Sequence, residues 1–144
     1  MRWLTALKRR FFGPKEVHIW KTKDDTEIPV HEMTDEHLVN AYKMCVRNSI
    51  INFLHTIITE EIGVPSYIVQ DYETQWDHWA NWCRILGEEV RIRELTEEIK
   101  EYADELEQKA HAAYESGPLV ATATIRMIQH NDHAHAIALV EVDS

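Results

Sequence analysis

The stretch from Thr34 to Ile62 constrains the chain more than any other. At 100° per residue, Leu38, Tyr42, Cys45, Val46, Phe53 and Ile57 share one helix face. Ile50, Ile51, Leu54 and Ile58 add a second apolar face in the C-terminal half alone. A half-helix that is apolar on two sides must be covered on two sides. It is therefore the central helix of the fold or part of a subunit interface. Its ends are marked as well. Thr34 is placed to cap, Asp35 and Glu36 sit where the helix dipole favours negative charge, and Gly63 with Pro65 stops the run.

On either side of this helix the pattern changes. Val17 to Val30 has period-2 apolar pairs, Val17/Ile19 and Ile28/Val30, around a polar stretch with Asp24 and Asp25, which predicts a β-hairpin. Pro29 lacks an N–H, so the second strand is expected to be an edge or to end early. Beyond Pro65, Tyr72, Trp76, Trp79 and then Trp82 or Cys83 recur at three and four. They form a helix stripe that is either core or a groove for a planar ligand such as a nucleotide base. Gly87 is expected to interrupt this helix. From Glu88 to Ser116, Ile92, Leu95, Ile99, Tyr102, Leu106 and Ala113 follow heptad-like steps, with ten acids and four bases on the other faces. After Gly117–Pro118, Leu119 to Gln129 and His133 to Val142 alternate in period 2 around His130–Asn131–Asp132, which predicts a C-terminal hairpin; a helix from Pro118 is the competitor.

The expected fold is therefore α+β: an N-terminal β-hairpin, three helices with the last long and acidic, and a C-terminal β-hairpin. A length of 144 residues fits a single domain, 1–144. Residues 1–14 form a basic amphipathic N-terminal arm, with Trp3, Leu4, Leu7, Phe11 and Phe12 around Lys8, Arg9 and Arg10. The arm is open to two readings, a surface-docking segment or a terminal helix packed on the body.

Charge narrows the partners. Residues 1–23 carry a net +6 and residues 24–144 a net −16. That distribution argues against duplex nucleic-acid binding, which needs a clustered basic surface. No run is long enough to span a membrane. Cys45 and Cys83 lack metal-ligand or disulfide-framework spacing, and the N-terminus does not read as a signal peptide, so a cytoplasmic setting in a host cell is expected.

Few residues point to chemistry. His133 and His135, two apart on a strand, would share a face and could bind zinc, copper or nickel, with a solvated strand face as the alternative. His31 and His37 are six apart across a helix start and do not make HExxH. Glu97, Glu98 and Glu101 form an EExxE that resembles the magnesium-binding helix of the all-α nucleotide pyrophosphohydrolases of the MazG kind. The ExxD that those enzymes carry on a following helix does not occur after Ser116. Phosphate-loop and nucleophile-elbow motifs are missing, no cofactor is implied, and the balance falls against an enzyme.

Trp20, Thr22, Lys23, Asp24, Ile28, Pro29, Val30, Met33, Thr34, Asp35, His37, Leu38 and Asn40 form a further pattern within Trp20–Ala41. It resembles a segment of small uncharacterised bacteriophage and prophage proteins, with Asp25 where a turn glycine is usual. The resemblance implies a hairpin leading into a capped helix and a viral or prophage origin, but no reaction. Within this segment and just beyond it, His37, Asn40, Lys43 and Arg47 line one helix side and could hold an anion such as a nucleotide phosphate. The expectation is a non-catalytic phage-type accessory protein, homo-oligomeric as a dimer. It would bind a host protein or a small phosphate-bearing nucleotide, including in a role that counters host defence. A metal-dependent hydrolase acting on nucleotides and a virion structural or assembly protein are the alternatives.

Overall fold

The computed structural model describes the backbone of residues 17–143 and, apart from Glu98, the side chains of residues 17–130. The basic arm expected at 1–14 lies outside the described residues. The chain runs β1 (Ile19–Lys21), β2 (Glu27–Pro29), a 3-10 turn (Val30–Glu32), then α1 (Asp35–Ile62), α2 (Ser66–Ile92), α3 (Thr96–Ser116) and α4 (Pro118–Asp143). The described chain is thus mostly helical, with one two-stranded sheet, and the α+β expectation is corrected to an α fold with an N-terminal hairpin.

The main correction is the C-terminal hairpin, whose place is taken by α4. The same residues satisfy both periods. Ala121, Thr124, Ile125 and Ile128 are the buried ones, and their spacing is helical. The β-branched threonines that suggested a strand are accommodated by donating backward to their own helix. The Thr122 hydroxyl bonds the Pro118 carbonyl at 2.8 Å and Thr124 bonds Val120 at 2.7 Å.

The expected helix boundaries hold at three places and fail at one. Thr34 Oγ1 accepts the His37 amide at 3.1 Å. Gly63 and Gly117 adopt positive φ, +75° and +96°, and so end α1 and α3 in the left-handed conformation that glycine permits. Gly87, however, lies inside α2. A Cβ there would come 3.2 Å from the Tyr42 ring, so this glycine makes room for a side chain. The break falls instead at Arg93–Leu95, where Glu94 takes φ +62° and the Glu94 and Leu95 amides bond the Arg91 and Val90 carbonyls. The heptad-like run from Ile92 is therefore split between α2 and α3, and four described helices replace the expected three.

Packing gathers the described residues into two compact units, 17–46 with 78–104 and 47–77 with 105–143, and α1, α2 and α3 each run through both. In the first unit, Leu38, Cys45, Leu86 and Val90 are fully buried, with Trp20, Met33, Val39, Ile85 and Ile99 around them. The hairpin pairs Trp20 with Ile28 in antiparallel register. Its inward residue is Trp20, edge-on to Trp82 at 5.1 Å, whereas Val17 and Ile19 face outward. Trp20 is part of the core and its cross-strand partner Ile28 packs against it.

The second unit buries Leu54, Leu106, Ala110, Ala113, Ala121, Ile125 and Ile128. The two-sided apolar half of α1 lies here. Leu54 of the second face is fully buried, Ile50, Ile51 and Ile58 are half-buried, and Phe53 of the first face packs on Trp76. Buried Thr56 and Thr59 donate to the Asn52 and His55 carbonyls.

The first unit is tied together by Arg93, only 10% exposed. Its Nε donates to Glu89 Oε1 at 2.8 Å, and Glu89 is 2% exposed. Nη1 donates to the Met33 carbonyl at 2.6 Å and to Asp35 Oδ1 at 3.0 Å. Nη2 donates to the Val30 and His31 carbonyls, both at 3.2 Å. All five guanidinium N–H groups are used. Arg93→Ala should lower stability by about 3 kcal/mol, the usual effect of removing one partner of a buried ion pair. Arg93→Lys should recover under half, since an ammonium cannot reproduce the fork. Asp35→Ala should cost less than about 1 kcal/mol, because that partner is exposed. Urea denaturation of the three variants checks the order.

Candidate aromatic cleft

The second unit carries an open cleft of about 390 Å³, lined by Ser49, Ile50, Phe53, Trp76, Glu107, Ala110, His111 and Tyr114. Three helices build it. On α3, positions 107, 110, 111 and 114 fall on one face by their spacing of three and four. Ser49, Ile50 and Phe53 do the same on α1, and α2 adds Trp76. Phe53 is the shared ring: its centroid is 5.0 Å from Trp76, tilted by 54°, and 6.3 Å from Tyr114, nearly parallel at 22°. Buried Ala110 leaves a small residue where a larger one would fill the space.

The walls are apolar and aromatic, and the polar groups are few: the Ser49 hydroxyl, the Glu107 carboxylate and the His111 ring. His111 Nε2 lies 3.1 Å from Glu115, and Lys109 donates to Glu105 at 3.0 Å. Such a cleft suits a flat ring with a few hydrogen-bonding edges. Cleft residues on α3 were not singled out in the sequence, because Glu107, His111 and Tyr114 sat in a run dominated by acids. The signal was their spacing around one alanine.

The anion site expected from the sequence lies on one helix. His37, Asn40, Lys43 and Arg47 all lie on α1, but Arg47 belongs to the second unit and the other three to the first. Asn40 is exposed; His37, Lys43 and Arg47 are half-buried. Lys43 Nζ sits 5.6 Å above the centre of the Tyr102 ring, a cation–π contact that occupies its charge. The expected metal pair loses its geometric basis: positions 133 and 135 lie on α4, and residues two apart on a helix do not share a face. Their side chains lie outside the described residues, and no group of three or more metal-ligating side chains forms among the described ones. Glu97 and Glu101 are exposed on α3.

The aromatic stripe of α2 does not act as a unit. Trp76 walls the cleft, Trp79 packs on the first unit's core, and Tyr72 stacks on His55 at 4.7 Å and 15°. The Cys83 thiol is pushed up to about 11 by burial. No described helix is long and apolar enough to cross a membrane. No known protein family, curated protein or solved structure matches the chain.

Burial holds the His55 imidazole below its ordinary value of 6.5. The unfolded chain thus takes up a proton near pH 6.5 that the folded ring resists. The stability contributed by a neutral His55 is complete above pH 6.5 and declines as pH falls below it. His55→Phe keeps a stacking ring and should flatten this part of the profile. Urea midpoints at pH 7.5 and pH 5 should diverge less in the variant than in the parent; equal divergence would assign the loss to other groups.

Proposed function

We infer that the chain is a non-catalytic accessory protein of the phage type that binds a small ligand through a flat heteroaromatic ring. The observation that carries this is the cleft bounded by Phe53, Trp76 and Tyr114. Its volume is that of a small-molecule site, and its walls offer stacking surface. The phage assignment rests on the Trp20–Ala41 resemblance, and a role in countering host defence is part of the same proposal. The reading places recognition at a ring in the second unit rather than at a phosphate on α1. A host protein docking on α3 is the second reading, favoured by its exposed acids Glu97, Glu101, Asp104 and Glu105.

Nucleosides are the direct probe. Titrating adenosine, guanosine, cytidine and uridine should shift the Trp76 indole NMR signal, identified by its loss in Trp76→Phe, in a saturable way for at least one of them. Tyr114 is 64% exposed, so Tyr114→Ala should leave the fold intact while weakening binding about tenfold, since base–aromatic stacking is worth roughly 1–3 kcal/mol. No shift with any nucleoside at millimolar concentration would end this reading.

Self-association is proposed with a changed location. Leu119 at 88% exposure and Met127 at 44% lie with exposed Ala123 at four-residue spacing on α4, opposite its buried face. This is the apolar surface that a second copy would cover in a twofold dimer. Light scattering on a sizing column should give a dimer. Leu119→Asp with Met127→Asp should yield a folded monomer, and Leu54→Asp should unfold the chain. A 16.9 kDa parent would refute the dimer.

A further inference from the structure

The polar groups of the cleft distinguish among flat rings, and we propose that they select guanine. This rests on the ring-binding reading above and adds the identity of the base. Glu107, exposed on α3, is the one carboxylate among the side chains that line the cleft. A carboxylate accepts best from two N–H groups side by side on one planar edge, the arrangement that makes its paired contacts strong. Guanine has that edge, with N1–H next to the exocyclic amino group. Adenine and cytosine place a ring acceptor beside their amino group, and uracil flanks its single N–H with carbonyls. Each would set an acceptor against a carboxylate oxygen, which repels it.

The cleft also holds a donor for the same edge. Guanine O6 neighbours N1–H and needs a donor, and the cleft contains the half-buried Ser49 hydroxyl. Stacking against the aromatic walls is indifferent to base identity, because every base has a π-face. Selection therefore falls to Glu107, with the Ser49 hydroxyl as the donor to O6. The site's charge also defines the ligand class. Glu107 lines the cleft and Glu115 pairs with His111 at its rim, so a phosphate gains nothing here and the nucleoside is the recognised unit.

Four nucleosides and one variant decide it, with the Trp76 indole signal as readout. Guanosine should bind at least tenfold tighter than inosine, which lacks only the exocyclic amino group, and tighter again than adenosine and cytidine. Glu107→Gln offers one acceptor and one donor, and should bring guanosine and inosine within about twofold of each other while still binding both. Equal affinities for guanosine, inosine and adenosine, or a guanosine preference unchanged in Glu107→Gln, would overturn guanine selection and leave ring binding standing. Failure of every nucleoside to bind would overturn both.

Discussion

One guanidinium holds the first unit together. The hairpin and the 3-10 turn are short, and their carbonyls at Val30, His31 and Met33 point away from any sheet partner. Arg93 supplies donors to all three, and its charge is balanced by buried Glu89 one helical turn earlier. Five donors in a fixed plane meet five acceptors, so the ends of the hairpin and of α2 are fixed by one side chain. This also explains the location of the α2–α3 break. Arg93 is the last residue before Glu94 turns left-handed, and the helix ends where its side chain can turn toward the 3-10 turn.

That break was not legible, because no glycine or proline marks it. A glutamate in the left-handed region is uncommon, and local pattern gives no warning of it. Gly87 misled for the complementary reason. It is a helix glycine kept small by the Tyr42 ring, a tertiary contact that local sequence does not display. Where local chemistry alone sets a boundary, the sequence was sufficient. Thr34 caps α1, and Gly63 and Gly117 end α1 and α3. In the hairpin, Asp25 takes the left-handed φ of +62° itself in place of the usual turn glycine. The C-terminal segment failed because alanine and threonine satisfy two periods at once. Only the burial of Ala121, Thr124, Ile125 and Ile128 separates them.

The candidate site was half legible. The aromatic stripe of α2 was visible, but its spacing suggested one surface, whereas its members serve three environments. Lys43 looked like a free cation because its helix face looked polar. Tyr102, placed near it by the fold, could not be paired with it from spacing across the chain. The α3 residues of the cleft were hidden by composition: a run of acids reads as a solvated face, and most of it is one.

What makes the cleft more than a gap between helices is the position of Phe53. A 64%-exposed Tyr114 has little burial to hold its ring, and an unsupported tyrosine would sample several rotamers. Phe53 contacts both Trp76 and Tyr114, and aromatic pairs of this kind contribute about 0.5–1.5 kcal/mol each beyond burial. The two walls are therefore braced from the same ring. A ligand ring entering the cleft does not have to order them, and side-chain ordering of that kind costs about 0.5–1.5 kcal/mol per residue. Ala110 completes the arrangement from α3, since a larger side chain there would fill the space between the walls. The half of α1 that is apolar on two sides thus has a use for both: Leu54 of the second face is buried in the unit, and Phe53 of the first carries the walls of the cleft.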